Sequence, residues 1–106
     1  MAATDSLFRA LADPTRRALF ERLCAEGELT VHNLTARSGV SQPAVSKHLA
    51  TLKAAGLVLP RPSGREIHYH ADPQALAPLT GWLNFYTSFC DQRPDHLHDL
   101  LKQMDQ

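Results

Sequence analysis

The apolar positions in the first quarter of the chain predict a helix. Ala18, Leu19 and Leu23 fall on one face at helical spacing. Asp13-Pro14 marks the start, because aspartate is a favoured N-cap and proline lacks the N–H that the first turn leaves unpaired. Gly27 marks the end, where glycine is a common C-terminal cap. A shorter amphipathic helix is predicted before it, at about 5–12.

The following segment, at about 30–56, predicts two helices joined by a short turn. Val31 and Leu34 indicate a short helix that stops at Gly39. Ser41 is a favoured N-cap for a longer helix, and Gly56 stands just past its end. The inner face of this longer helix, with His48 at its edge, is formed by Val45, Leu49 and Leu52.

Two short apolar runs after this pair of helices predict a β-hairpin at about 57–71. They flank Pro60–Arg65, whose proline and glycine residues indicate a turn. The sequence then has helical spacing over about 74–104. The predicted fold is mainly α with a small β-hairpin: a winged helix-turn-helix of about five helices and a two-stranded wing, in one domain over 1–106.

Charge is unevenly distributed along the chain although its net value is zero. The 37 residues from Leu29 to Arg65 contain no Asp or Glu, but they hold Arg37, Lys47, Lys53, Arg61 and Arg65. A gap of this kind arises by chance on solvated surfaces, and it also arises on surfaces that face a polyanion. The local structure favours the second interpretation.

The outer face of the longer helix lacks acidic and bulky side chains. An ordinary surface helix more often alternates glutamate with lysine, whereas a face of small and cationic residues suits close approach to phosphates and base edges. The residues of this face are Ser46, Lys47, Ala50, Lys53 and Ala54.

An apolar stripe in the C-terminal helical region predicts a dimer interface. So short a chain cannot bury the whole stripe internally, and large exposed apolar patches mark contact sites. The alternative is that the stripe closes the core of the monomer. With the N-terminal helix at about 5–12, the predicted interface comprises Leu7, Leu11, Leu79, Trp82, Leu83, Tyr86 and Phe89.

Several motifs, in order over about 5–90, together resemble the ArsR/SmtB repressors. They are Leu11-Ala12-Asp13-Pro14-Thr15-Arg16-Arg17, Gly27-Glu28-Leu29-Thr30-Val31, Ser41-Gln42-Pro43-Ala44-Val45-Ser46-Lys47-His48-Leu49, Gly56-Leu57-Val58 and Gly64-Arg65-Glu66-Ile67-His68-Tyr69. The aromatic residues between Trp82 and Cys90 are similar to those of the SdpR-like branch, which has no metal site. That branch usually has a further aromatic residue where this chain has Cys90.

The resemblance implies a homodimeric repressor that binds double-stranded DNA at an inverted-repeat operator, often in its own promoter. Gln42, Ser46 and Lys47 would contact bases or nearby phosphates, and Arg61 and Arg65 would be wing contacts. His48 is either a packed or phosphate-facing residue or a base reader. The predicted DNA-binding residues are Ser41, Gln42, Pro43, Ser46, Lys47, His48, Lys53, Arg61 and Arg65.

No metal or other cofactor is predicted. Metal-sensing relatives carry Cys-Val-Cys near the start of the helix-turn-helix, where this chain has Thr30-Val31-His32. The acidic and histidine residues around His96 and His98 do not match the spacing of the family's second metal site, so a solvated helix end is expected there. His68 and His70 share a face of one strand and are expected to be surface histidines.

A redox switch is the alternative sensor. Some relatives sense reactive sulfur through one cysteine on the second helix and one on the last long helix, the elements that hold Cys24 and Cys90. Such sensing needs an exposed thiolate of low pKa. Cys24 lies about two residues from the sensing position, and only Arg22 is near enough to activate it.

Other classes of protein fit the sequence less well. No nucleophile-and-base motif, glycine-rich phosphate loop or intact metal motif is present, so catalysis is not expected. A winged helix that binds protein instead of DNA would carry acidic residues on the outer face of the longer helix. No run of apolar residues is long enough for a membrane span, no signal peptide is recognisable, and two cysteines suit the cytoplasm.

Overall fold

The structure is a computed structural model that describes residues 2–90. The elements are α1 (Ala2–Ala12), α2 (Pro14–Glu26), β1 (Leu29–Thr30), α3 (Val31–Ala36), α4 (Gln42–Ala54), β2 (Val58–Ser63), β3 (Glu66–Ala71), a 3₁₀ turn (Pro73–Leu76) and α5 (Ala77–Cys90). They confirm the predicted winged helix-turn-helix. The chain divides into two compact units, residues 1–76 and 77–106. The predicted helix beyond residue 90 and the cluster at His96 and His98 lie outside the described residues.

Polar side chains cap the starts of three helices. Asp13 Oδ2 accepts a hydrogen bond from the backbone N–H of Arg16 at 2.9 Å, and Ser41 Oγ accepts from that of Ala44 at 3.3 Å. Both caps were predicted from the sequence. Thr30 caps α3 in the same way, accepting from Asn33 N at 3.1 Å. Each cap satisfies a backbone donor that would otherwise lack a partner, an effect of about 1 kcal/mol.

Arginines of α2 bind the carboxyl ends of the neighbouring helices. Arg16 donates to the carbonyls of Ala10 at 2.8 Å and Arg9 at 2.9 Å, and so caps α1. Arg22 donates to the carbonyls of Leu34 at 2.9 Å and Asn33 at 3.2 Å, near the end of α3. A helix leaves its last carbonyls without intrahelical partners, and a cation there also meets the negative end of the helix dipole.

The hydrophobic core lies among α2, α3, α4 and the start of β2. Together with Leu7 and Ala10 of α1, the core side chains exposed by no more than 2% are Leu19, Leu23, Leu34, Val45, Leu49, Leu52, Leu57 and Val58. The predicted inner face of α4 is therefore confirmed, and His48 lies at its half-buried edge. Burying each such aliphatic side chain contributes about 1.5–3 kcal/mol.

The sheet has three strands instead of the predicted two. Its order is β1-β3-β2, all antiparallel, with Thr30 and Arg61 opposite His68 of β3 on its two sides. The additional strand, β1, has only two residues. A segment that short shows no alternation of apolar and polar residues, and it becomes a strand only by pairing with β3.

The second unit, within its described part, consists of α5. This helix begins at Ala77, because residues 73–76 form the 3₁₀ turn. Phe85 and Phe89 meet edge to face with ring centroids 5.1 Å apart, and Trp82 and Tyr86 lie 4.8 Å apart. The large side chains that remain 39–59% exposed in the single chain are Trp82, Leu83, Phe85, Tyr86 and Phe89.

Two leucines of α1 differ in exposure. Leu11 is half-buried. Leu7, predicted at the dimer interface, is instead 2% exposed in the single chain, because the chain's own residues already cover it. Leu79 of α5 is half-buried.

No helix among the described residues has the length and apolar character that crossing a bilayer requires.

Candidate DNA-binding surface

The outer face of α4 is open to solvent over its whole length. Val45, Leu49 and Leu52 are fully buried beneath it and hold the helix against the core. Pro43 lies in the first turn, where its missing N–H leaves no gap in the helical hydrogen bonds. The residues exposed on this side are Ser41, Gln42, Pro43, Ser46, Lys47, Ala50, Lys53 and Ala54.

A cleft of about 350 Å³ lies between the amino end of α4 and the wing. Two predicted α4 residues, Gln42 and Ser46, line it together with Arg65 of the wing turn. The structure therefore brings three of the predicted DNA-binding residues to one concave surface. Its other lining residues are Thr30, Val31, His32, Glu66 and Ile67, of which exposed His32 was not predicted as a DNA contact.

Arg61, the second predicted wing contact, is engaged by an acidic residue. Its Nε donates to Glu28 Oε1 at 3.1 Å and Oε2 at 3.0 Å, and its Nη2 also donates to Oε1. This hydrogen bonding lowers the pKa of Glu28 and raises that of Arg61. The sequence alone did not reveal this ion pair, because Glu28 stands one residue before the segment from Leu29 to Arg65 that contains no acidic residue.

Some of the positively charged side chains in the segment from Leu29 to Arg65 form ion pairs and others do not. Among residues 2–89, ion pairs engage Arg37 with Glu26 at 2.8 Å and Arg61 with Glu28. No ion pair in that range involves Lys47, Lys53 or Arg65. These three residues carry the uncompensated positive charge of α4 and the wing.

His48 lies on the side of α4 that approaches the start of α2. The backbone N–H of Arg16 lowers the pKa of Asp13, and the charge of His48 contributes a smaller effect in the same direction. His48 is half-buried, whereas Gln42 and Lys47 are exposed. This position favours packing over base reading as its role.

The environment of Cys24 weighs against thiol-based sensing. Cys24 is exposed, but desolvation raises the pKa of its thiol, and the negative charge of Glu21 raises it further. Arg22, the candidate activator, binds Glu26 and the carbonyls of α3. Cys90 ends α5 and its side chain lies outside the described part. Within the described part of the chain, no cluster of three or more histidine, cysteine or acidic side chains could hold a metal ion.

Comparison with known proteins identifies the family. The model for bacterial regulatory proteins of the arsR family matches residues 13–59. The chain is 52% identical to the HTH-type transcriptional regulator Rv2034 of Mycobacterium tuberculosis over 75 residues, which span 71% of this chain and 69% of that protein. It is 32% identical to the transcriptional repressor SdpR of Bacillus subtilis, over 76% of this chain and 90% of SdpR. Three further relatives are longer, and the chain spans 53–61% of their length.

Solved structures have the same architecture. The ArsR-like transcriptional regulator from Rhodococcus sp. RHA1 superposes with a TM-score of 0.74 at 32% identity, covering 93% of this chain and 92% of that chain. The homodimeric winged helix-turn-helix DNA-binding domain Mb0332 from Mycobacterium bovis superposes with a TM-score of 0.65 at 25% identity, over 82% and 80% of the two chains. The chain therefore belongs to the ArsR family of bacterial regulatory proteins, and it is a DNA-binding transcriptional regulator and not an enzyme.

Proposed function

We propose that the whole chain acts in the cytoplasm as a homodimeric repressor on an inverted-repeat operator. The observation that carries this proposal is the cleft that joins Gln42 and Ser46 of α4 to Arg65 of the wing. In a winged helix-turn-helix the second helix enters the major groove with its amino end, and the wing contacts the adjacent backbone. A phosphodiester strand running between α4 and the wing would lie along this cleft.

The residues at the amino end of α4 have a different role from Lys53 and Arg65. Gln42 reads bases, since its amide presents a donor and an acceptor at the exposed start of α4. Ser41, Ser46 and Lys47 lie beside it and contact bases or nearby phosphates, while Pro43 allows the helix end to approach the groove. Lys53 and Arg65 bind phosphates and contribute to affinity on any sequence.

Dimerisation is carried by the exposed aromatic and aliphatic side chains of α5. Trp82, Leu83, Tyr86 and Phe89 are 39–59% exposed in the single chain, which is more apolar surface than one helix of a monomer usually leaves to water. A two-fold interface through α5 would include half-buried Leu79, and Leu11 of α1 is a further residue of the predicted interface. Operator binding requires the two α4 helices of the dimer to lie about 34 Å apart, one turn of DNA.

The experiment is a titration of the purified protein against DNA from upstream of its own gene and against random DNA, in increasing salt. Gln42→Ala should lose about 1–3 kcal/mol of discrimination between the two DNAs. Arg65→Ala should weaken binding to both alike. If wild-type protein bound neither DNA, or bound both with affinity independent of salt, the proposed function would be wrong.

A further inference from the structure

One acidic side chain lies at the edge of the proposed DNA-binding surface. Glu28 comes directly before β1, and the register places Arg61 of β2 opposite His68 of β3. On this side of the sheet the Glu28 carboxylate is bound by Arg61, with His68 Nδ1 at 3.6 Å and His70 Nδ1 at 4.0 Å. The Glu28 side chain is 31% exposed and the Arg61 side chain 54% exposed.

We propose that Glu28 is a positioning residue that withholds Arg61 from DNA and thereby limits the non-specific affinity of the wing. The proposal rests on the proposed function, because it concerns the same surface. It assigns to Arg61 a different role from that of Arg65, although both arginines belong to the wing.

The geometry supports withholding because the carboxylate takes one of the two donor edges of the guanidinium. Nε and Nη2 form an edge that can bind a carboxylate or a phosphate through two parallel hydrogen bonds, and Glu28 occupies both donors. A phosphate binding at this edge would have to displace a carboxylate that belongs to the same chain and is already in place. The pair as a unit carries no net charge, so it offers the DNA no attraction at long range.

The number of free cations gives the expected salt dependence. Lys47, Lys53 and Arg65 lack ion-pair partners among residues 2–89, so a dimer presents about six cations to phosphates. The slope of log affinity against log salt should therefore be about −5 in the wild type. Releasing Arg61 in both protomers should add about two phosphate contacts and bring the slope to about −7.

The test measures this slope for five proteins on random duplex DNA by fluorescence anisotropy. Glu28→Gln keeps the shape of the side chain and removes its charge, and it should steepen the slope to about −7 and tighten binding in low salt. The ratio of its affinity for random DNA to that of the wild type should decrease about tenfold between 50 and 200 mM salt. Arg61→Ala alone should leave the slope near −5, and it should lower the affinity modestly because it leaves the Glu28 carboxylate without its cation.

The double variant separates release of Arg61 from a general loss of negative charge. Glu28→Gln combined with Arg61→Ala should return the slope to about −5. Glu21→Gln, which removes the same charge from an exposed position on α2, is the matched control and should behave as the wild type. Thermal unfolding of each protein shows that all are folded.

Two results would overturn the proposal while leaving the proposed function intact. One is an unchanged slope in Glu28→Gln, and the other is a steep slope that persists in the double variant. A loss of slope in Arg61→Ala would also contradict it, because Arg61 would then already contact phosphate in the wild type. Failure of the wild type to bind any DNA would instead refute the proposed function and this proposal with it.

Discussion

Replacing Arg22 with alanine should destabilise the protein far more than an ordinary surface substitution. The Arg22 side chain is 19% exposed, and its guanidinium donates to the carbonyls of Leu34 and Asn33 at 2.9 and 3.2 Å. These bonds join the middle of α2 to the end of α3, the first helix of the helix-turn-helix. Without Arg22, both carbonyls would depend on water at a partly closed site.

The magnitude follows from the two bonds. A hydrogen bond that involves a charged group contributes about 1.5–3 kcal/mol when it is buried, and partial access of water reduces this by about half. Two such bonds, with the packing of the aliphatic stem, give an expected loss of about 2–3 kcal/mol in the free energy of unfolding. In a domain of this size that corresponds to a decrease in Tm of about 10–20 °C.

The assay is urea denaturation followed by circular dichroism, with Arg37→Ala as the control. Arg37 is bound to the same acidic residue as Arg22, Glu26, but its side chain is 68% exposed and it makes one ion pair at 2.8 Å. Arg37→Ala should therefore change the free energy of unfolding by no more than about 0.5 kcal/mol. Equal losses in the two variants would refute the importance assigned to the carbonyl contacts.

Three further predictions concern the thiol, the dimer and metals. Iodoacetamide should alkylate Cys24 more slowly than a free cysteine at pH 8, because the raised pKa keeps the thiol protonated. The alkylation rate should still be rising at about pH 9. A rate that is already maximal at pH 7 would contradict this. Leu83 is 52% exposed in the single chain, and Leu83→Asp should give folded monomers in sedimentation experiments. It should also weaken operator binding by at least about tenfold. A dimer that persists would exclude this face of α5 as the dimer interface. Adding zinc or a chelator should change operator affinity by less than about threefold, since no family metal motif is intact; a tenfold loss with zinc would disprove it.

Local signals in the sequence predicted most of the helical framework. The caps at Asp13 and Ser41 and the buried face of Val45 and Leu49 depend on residues three or four positions apart, so pattern alone predicts them. The exposed cationic side of α4 followed from the same periodicity. The first helix proved longer than predicted, since it begins at Ala2 and its first turn carries little apolar pattern.

Interactions between distant residues could not be predicted in this way. Glu28 and Arg61 are 33 positions apart, and only the pairing of β1 and β2 with β3 brings them together. The contact of Arg22 with Leu34 depends likewise on how α2 packs beside α3. The burial of Leu7 within its own chain was likewise not predictable, because spacing along a helix does not reveal what the rest of the chain covers.

Thr30 has a mechanical consequence for the helix-turn-helix. It is at once the last residue of β1, opposite His68, and the N-cap that holds the first turn of α3. No linker separates the strand from the helix, and Thr30 is only 8% exposed. We therefore expect the sheet and α3 to move together, because no linker between β1 and α3 could absorb a displacement of the strand.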